Sequence, residues 1–181
     1  MERLQQYDVV VVGGGTAGVS AAVGAAKTGA KTLLIERNAY LGGEATNSGV
    51  SAFCGFYTCG ENPVRVVEGV GRLVLNEMEA LGPTVDYVIS ATGNRNINFQ
   101  PEYLKCAMDN LLEKERVDYL LHTSVIGADT ENGTITAIHC VDDEGTFTVA
   151  AEMPILPALP GHTWYGAAMT DARRRQPCRF A

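Results

Sequence analysis

The stretch from Tyr7 to Thr46, YDVVVVGGGTAGVSAAVGAAKTGAKTLLIERNAYLGGEAT, constrains this chain more than any other. Val9 to Val12 is a run of β-branched apolar residues, long enough for one buried strand. Gly13-Gly14-Gly15-Thr16-Ala17-Gly18 follows at once and fits the spacing G-x-G-x-x-G. From Thr16 to Lys27 the chain is rich in Ala and has no Pro, which predicts a helix. Lys31 to Ile35 reads as a second buried strand, and it ends at Glu36. Strand, glycines, helix, strand and terminal acid follow one another in about the length that a β-α-β unit requires.

Each part has a physical task. Gly13 permits the tight turn out of the strand, Gly15 leaves room for a diphosphate to reach the backbone, and Gly18 lets the helix pack closely on the strand. The helix amino end offers unpaired N–H groups and the positive end of its dipole to that diphosphate, with Thr16 and Ala17 in its first turn. Glu36 stands 18 residues after Gly18. There its carboxylate can accept hydrogen bonds from the ribose hydroxyls of an adenosine, and its charge disfavours a 2′-phosphate, hence NADP. Glycine-rich turns are common, and one alone could be a tight turn with no ligand. The ordered set favours dinucleotide binding.

Arg37-Asn38-Ala39-Tyr40 then leads into Leu41-Gly42-Gly43-Glu44-Ala45-Thr46. With that segment, the chain resembles the FAD-dependent oxidoreductases of the two-dinucleotide-binding-domain superfamily, whose amino end runs GGGxAG…LIE…LGG…T. The resemblance implies FAD as cofactor. Its contacts would be Gly13, Gly15, Thr16, Ala17, Gly18, Glu36, Arg37, Gly42, Gly43, Ala45 and Thr46, with the backbone of Val125 at the adenine. It also implies an α/β fold: a Rossmann-like three-layer FAD/NAD(P)-binding domain with a parallel sheet and an antiparallel β-meander. The implied activity is flavin-mediated hydride or electron transfer on a small organic substrate, with a separate electron acceptor. Thiazole-forming proteins share the β-α-β start, so the alternative is an adenine-nucleotide-binding protein without redox turnover, either of that kind or an inactive truncated product. No catalytic residue and no metal site is assigned, and self-association into a homo-oligomer is left open.

Composition narrows the class. With 181 residues and 46% hydrophobic content, one domain with a real core is expected. A net charge of −7 does not suggest nucleic-acid or anionic-membrane binding. The run at Val9 is too short to span a bilayer, and the amino end has no leader pattern, so a cytoplasmic protein is expected. Cys54, Cys59, Cys106, Cys140 and Cys178 are odd in number and scattered, which argues for free thiols. Cys54 and Cys59 have the C-x4-C spacing of a flavin disulfide reductase. Cys54 comes 11 residues after Gly43, too late for that role, and two ordinary thiols are preferred.

Residues 47–63 read as a loop over the flavin edge or a substrate pocket. Residues 64–81 show helical spacing, with Val67, Val70, Leu73, Val74, Glu77 and Met78 on a related face, and Gly82-Pro83 ends the helix. Val85 to Ser90 predicts a strand, and Gly93 to Asn98 a turn-rich connection. Ala91-Thr92-Gly93 resembles a flavoprotein signature but precedes a helix, so it is read as chance. Pro101 to Arg116 predicts a helix with Pro at its start, and Val117 to Leu121 a parallel strand. His122, alone at a strand end, is read as structural. Asn132-Gly133 and the turn at residues 142–145 divide Val125–Asp129, Thr134–Val141 and Thr146–Ala151 into a three-stranded meander.

The pattern breaks after Met153. Pro154, Pro157 and Pro160 are incompatible with the central strand that the family would place there. Charge shifts from −10 over residues 1–153 to +3 over residues 154–181. A shifted reading frame or a truncated gene is the expected cause; the alternative is a genuine divergent tail with Arg173-Arg174-Arg175 as a solvated patch. The domain is thus expected to be carboxy-terminally incomplete: residues 1–153 the nucleotide-binding domain, 47–100 an insertion on the substrate side, and 154–181 a divergent tail that leaves the sheet without its last strand.

Overall fold

The computed structural model describes residues 3–83, 85–154 and 167–169. In chain order the elements are β1 (Arg3–Tyr7), β2 (Val9–Val12), α1 (Thr16–Lys27), β3 (Thr32–Ile35), α2 (Glu44–Asn47), β4 (Ala52–Phe53), α3 (Val70–Ala80), β5 (Val85–Ile89), β6 (Arg95–Phe99), α4 (Pro101–Lys114), β7 (Asp118–Leu120), β8 (Ser124–Glu131), β9 (Thr134–Asp142), β10 (Gly145–Pro154) and β11 (Ala167–Met169).

β2, β3 and β7 pair in parallel, with Val10 opposite Leu33 and Leu34 opposite Tyr119. Strand alternation divides their side chains between two cores. Val9, Val11 and Leu34 face one way, onto Val19, Ala22 and Val23 of α1 and onto the apolar faces of α3 and α4. Val10, Leu33 and Ile35 face the other way, onto Ile138, Cys140 and Val149 of the meander. The result is the expected three layers: helices, parallel sheet, antiparallel sheet. Buried on both faces, each Val or Leu of the middle layer contributes about 1.5–3 kcal/mol of transfer free energy. This is why the strands read as unbroken apolar runs.

α1 ends where Thr28 leaves the helix and Gly29 turns at φ 89°, its N–H donating to the Ala26 carbonyl at 2.8 Å. α4 begins at Pro101, as expected, and buries Leu104, Ala107, Met108, Leu111 and Leu112. The meander runs β8–β9–β10 by antiparallel pairing.

One strand is unanticipated, and four expectations are corrected. The amino end before Tyr7 is itself a strand: β1 pairs in parallel with β10, Arg3 opposite Thr148, so the meander sheet has order β1-β10-β9-β8. The helix expected over 64–81 starts only at Val70, because Gly69 at φ 66° interrupts it and Val66 N–H is drawn to the Phe56 carbonyl. Gly93 to Asn98 is not a turn-rich connection. The turn closes at Ser90–Asn94, and Arg95–Phe99 forms β6, paired with both β4 and β5. Its polar residues alternate with Ile97 and Phe99, which are buried. The meander's last strand runs on through Pro154, at the strand end, where the loss of an N–H is tolerated. Finally, the sheet edge beside β2 is covered: Ala167–Met169 pairs antiparallel with it, Ala167 opposite Val11 and Met169 opposite Val9. Pro157, Pro160 and Cys178 lie outside the described residues, as does most of the expected tail segment.

Candidate functional site

β2 and β3 both deliver their carboxyl ends to one place, where a cleft of about 720 Å³ opens. The turn out of β2 sits on its floor. Gly13 adopts φ 103°, a conformation costly for any residue with a side chain. A Cβ on Gly18 would lie 1.8 Å from the Gly13 carbonyl oxygen, so the first turn of α1 can approach the strand only without one. Gly15 is different. It is extended, at φ −67° and ψ 176°, and a Cβ there would meet nothing closer than the Gly43 Cα at 3.9 Å. The protein's own packing does not require glycine at 15; the space kept open faces the cleft.

α1 has no side-chain cap and no acidic residue in its first turn. Its first N–H groups therefore have no partner inside the helix, and Thr16, Ala17 and Gly18 line the cleft. The dipole end and the N–H groups together favour negative charge at this end of the cleft.

Glu36 is 6% exposed, at the end of β3. One carboxylate oxygen accepts the Gly14 N–H at 2.6 Å. The other accepts the Asn38 backbone N–H at 2.8 Å and its side-chain amide at 2.7 Å. A carboxylate has about four acceptor sites, so one remains for an incoming hydroxyl. The backbone around it is clamped by the junction between β7 and β8: Glu36 N–H donates to Leu120 O at 2.8 Å, Thr123 N–H to Glu36 O at 3.0 Å, and His122 N–H to Asn38 O at 3.1 Å. His122 takes φ 52° in this junction, in keeping with a turn residue.

Gly42 forms the opposite wall, and Gly43 follows it in the chain. Gly42 N–H donates to Gly14 O at 2.8 Å, and Gly42 pairs with Gly15 as an isolated parallel bridge. A Cβ on Gly43 would come within 3.0 Å of the Gly15 Cα. Thr46 does not line the cleft. It is buried, and its hydroxyl donates to the carbonyls of Leu41, at 2.8 Å, and Gly43, at 3.2 Å. Its hydroxyl thereby ties the Leu41–Gly43 turn to the start of α2.

Of the expected contacts, Gly13, Gly15, Thr16, Ala17 and Gly18 line the cleft, as do Glu36, Arg37, Gly42, Ala45 and Val125. Gly43 and Thr46 are not in that lining. Sequence reasoning missed Asn38, Glu44, Thr123 and Ser124. Asn38 had a signal, since an amide two residues after a buried acid can turn back to it. No residue between 47 and 100 lines the cleft, so the loop expected over the flavin edge takes no part in the described site. Cys54 and Cys59 in that segment are exposed free thiols, and the Cys59 thiol lies 2.8 Å from Asn94 Oδ1. Among the described residues no helix is long and apolar enough to cross a membrane.

The sequence model of the family described as "FAD dependent oxidoreductase" matches residues 8–155. The digeranylgeranylglycerophospholipid reductase of Methanospirillum hungatei JF-1 is 30% identical over 125 residues, 69% of this chain and 26% of that protein. The mitochondrial dihydrolipoyl dehydrogenase of Caenorhabditis elegans is 51% identical over 45 residues, 25% of this chain and 9% of that protein. The chain thus spans about a quarter or less of the length of these curated relatives. Among solved structures, THI4 of Thermovibrio ammonificans superposes with a TM-score of 0.53 at 17% identity, covering 81% of this chain and 55% of that one. The p-nitrophenol 4-monooxygenase PnpA of Pseudomonas putida DLL-E4 superposes with a TM-score of 0.57 at 13% identity, covering 85% and 40%. At such identities the likeness is one of fold.

Proposed function

This chain belongs to the FAD dependent oxidoreductase family, and we propose that its cleft grips the ADP half of FAD for flavin-mediated hydride or electron transfer on a small organic substrate. The observation that carries the reading is the open direction at Gly15, beside uncapped N–H groups and across from a buried carboxylate with one acceptor to spare. Thr16, Ala17 and Gly18 would hold the diphosphate, and Glu36 a ribose hydroxyl. Arg37, exposed at the rim, would sit beside the adenosine. FAD supplies the redox chemistry when bound; the protein supplies binding and orientation. The Gly14 N–H and Asn38 hold the Glu36 carboxylate in place, so a ribose meets an acceptor already oriented.

Equilibrium titration of the 181-residue protein with FAD, FMN and NADP tests this. FAD should bind with saturation, while FMN, which lacks the adenosine, and NADP, whose 2′-phosphate meets Glu36, should bind at least tenfold more weakly. Equal affinity for FMN would overturn the reading.

A second reading has one observation in its favour. The described lining ends at the glycine turns, Glu36–Asn38 and Thr123–Val125, with nothing from the 47–100 segment. Such a cleft serves an adenine nucleotide without redox turnover. ADP binding as tightly as FAD, with no flavin reduction by any donor, would favour it.

A further inference from the structure

The 47–100 segment, which takes no part in the cleft, carries three arginines around two tyrosines. Arg65 Nε donates to Glu68 at 2.6 Å, and Arg72 lies 3.8 Å from Glu79. Both are thus paired with carboxylates. Arg95 is not: among the described residues its side chain has no ion pair and no hydrogen bond. Its guanidinium carbon stands 4.8 Å from the Tyr57 ring centroid and 5.3 Å from that of Tyr87. The two rings meet edge-on at 90°, with centroids 6.2 Å apart, so they form a corner around the cation. The Tyr87 hydroxyl is tied to Glu79 at 2.6 Å, which fixes one side of that corner. Arg95 Nε is buried with no partner, a costly state for a charged donor.

The strand register adds an apolar neighbour. Ile89 lies directly opposite Arg95 in the β5–β6 ladder, and 56% of it is exposed. Directly opposed residues project to the same face of a sheet. A fixed cation without a carboxylate partner, held over two aromatic rings and beside an uncovered isoleucine, is what an organic acid with an apolar body would fit.

We propose that Arg95, cornered by Tyr57 and Tyr87 and flanked by Ile89, is a recognition site for the carboxylate of a small organic acid with an aromatic or apolar body. The planar guanidinium can meet both carboxylate oxygens at once, which a lysine ammonium cannot do. The tyrosine corner fixes its orientation in advance, so little side-chain freedom is lost on binding. The site does not depend on FAD, since Arg95 is no part of the cleft.

The test is a titration of the whole 181-residue protein with benzoate and with its neutral counterpart benzamide, at constant ionic strength, following the Arg95 Nε–H resonance by NMR. Benzoate should shift that resonance with saturation, and benzamide should bind at least tenfold more weakly. Arg95→Lys should weaken benzoate at least tenfold while FAD affinity stays within twofold, which also reports that the variant is folded. The wild-type titration stands by itself if the variant does not fold. No saturable shift with benzoate, equal binding of benzamide, or an Arg95→Lys protein that binds benzoate as wild type does would each overturn the proposal. So would a shift produced by polyglutamate but not by benzoate, which would point to a protein partner.

Discussion

Replacing Gly15 with alanine separates what the fold needs from what the ligand needs. Gly15 already has a backbone conformation that alanine adopts freely, at φ −67° and ψ 176°. Its new methyl would meet no protein atom closer than 3.9 Å. Such a Gly→Ala change gains about 0.4–1 kcal/mol because the unfolded chain loses freedom. Gly15 is, however, the N-cap of α1, where Ala is disfavoured by about 0.5–1 kcal/mol. The two effects nearly cancel, so Tm should move by no more than about 2 °C. The same methyl stands where a diphosphate would approach the backbone, so FAD affinity should fall by about 10- to 100-fold, or about 1.4–2.7 kcal/mol. Gly18→Ala is the counterpart. Its methyl would sit 1.8 Å from the Gly13 carbonyl oxygen, so helix and strand must move apart. Overpacking of that kind costs about 1–3 kcal/mol or more, and Tm should fall. Thermal melts followed by circular dichroism, paired with calorimetric FAD titration, measure both quantities. A Gly15→Ala protein that keeps its FAD affinity, or that melts as early as Gly18→Ala, would refute the reasoning.

Further outcomes follow from the same geometry. Glu36→Gln replaces one of two acceptor oxygens by a donor that faces either Gly14 N–H or Asn38; chemical denaturation should show a loss of about 1–3 kcal/mol, with weaker FAD binding. Gly24 lies inside α1, and a methyl added there would meet nothing within 4 Å, so Gly24→Ala should gain about 0.5–1 kcal/mol by the same assay. Burial, the hydrogen bond to Asp118 and the Asp118 charge push the Tyr7 hydroxyl from 10.0 up to about 12. The fold thus favours the protonated phenol: that stabilisation is full below about pH 10 and is lost as pH rises towards 12. Tyr7→Phe should lessen the alkaline fall in Tm across that window. Burial also pushes the Cys140 thiol from 9.0 up to about 11, so brief alkylation at about pH 8, near the ordinary thiol range, should label exposed Cys54, Cys59 and Cys106 and leave Cys140 unlabelled, as read by peptide mapping.

The β2–α1–β3 unit could be read from sequence because each level agrees: β-branched runs for a layer buried on both faces, an Ala-rich helix, and glycines where the backbone needs them. The meander was legible for a similar reason, with Asn132-Gly133 marking its first turn. β6 was not, because Asn and Arg dilute its alternation and only the burial of Ile97 and Phe99 reveals the period. β1 and β11 were hidden differently. Each is placed by pairing with a strand distant in sequence, Val149 for Leu4 and Val11 for Ala167, and nothing local announces it. In the cleft, the Gly13–Gly18 turn and Glu36 follow from spacing, and Gly42 from the family resemblance. Thr123 and Ser124 reach it only because β7 lies beside β3, a tertiary relation. Arg95 became visible only once the tyrosines that corner it were brought together.

The central claim is tested most directly by a crystal structure of the protein soaked with FAD. The account predicts the diphosphate within about 2.7–3.2 Å of backbone N–H groups in the first turn of α1, packed against Gly15, with a ribose hydroxyl on the Glu36 carboxylate. A nucleotide bound elsewhere, or one whose diphosphate lies clear of Gly15 while Glu36 touches only Gly14 and Asn38, would contradict it.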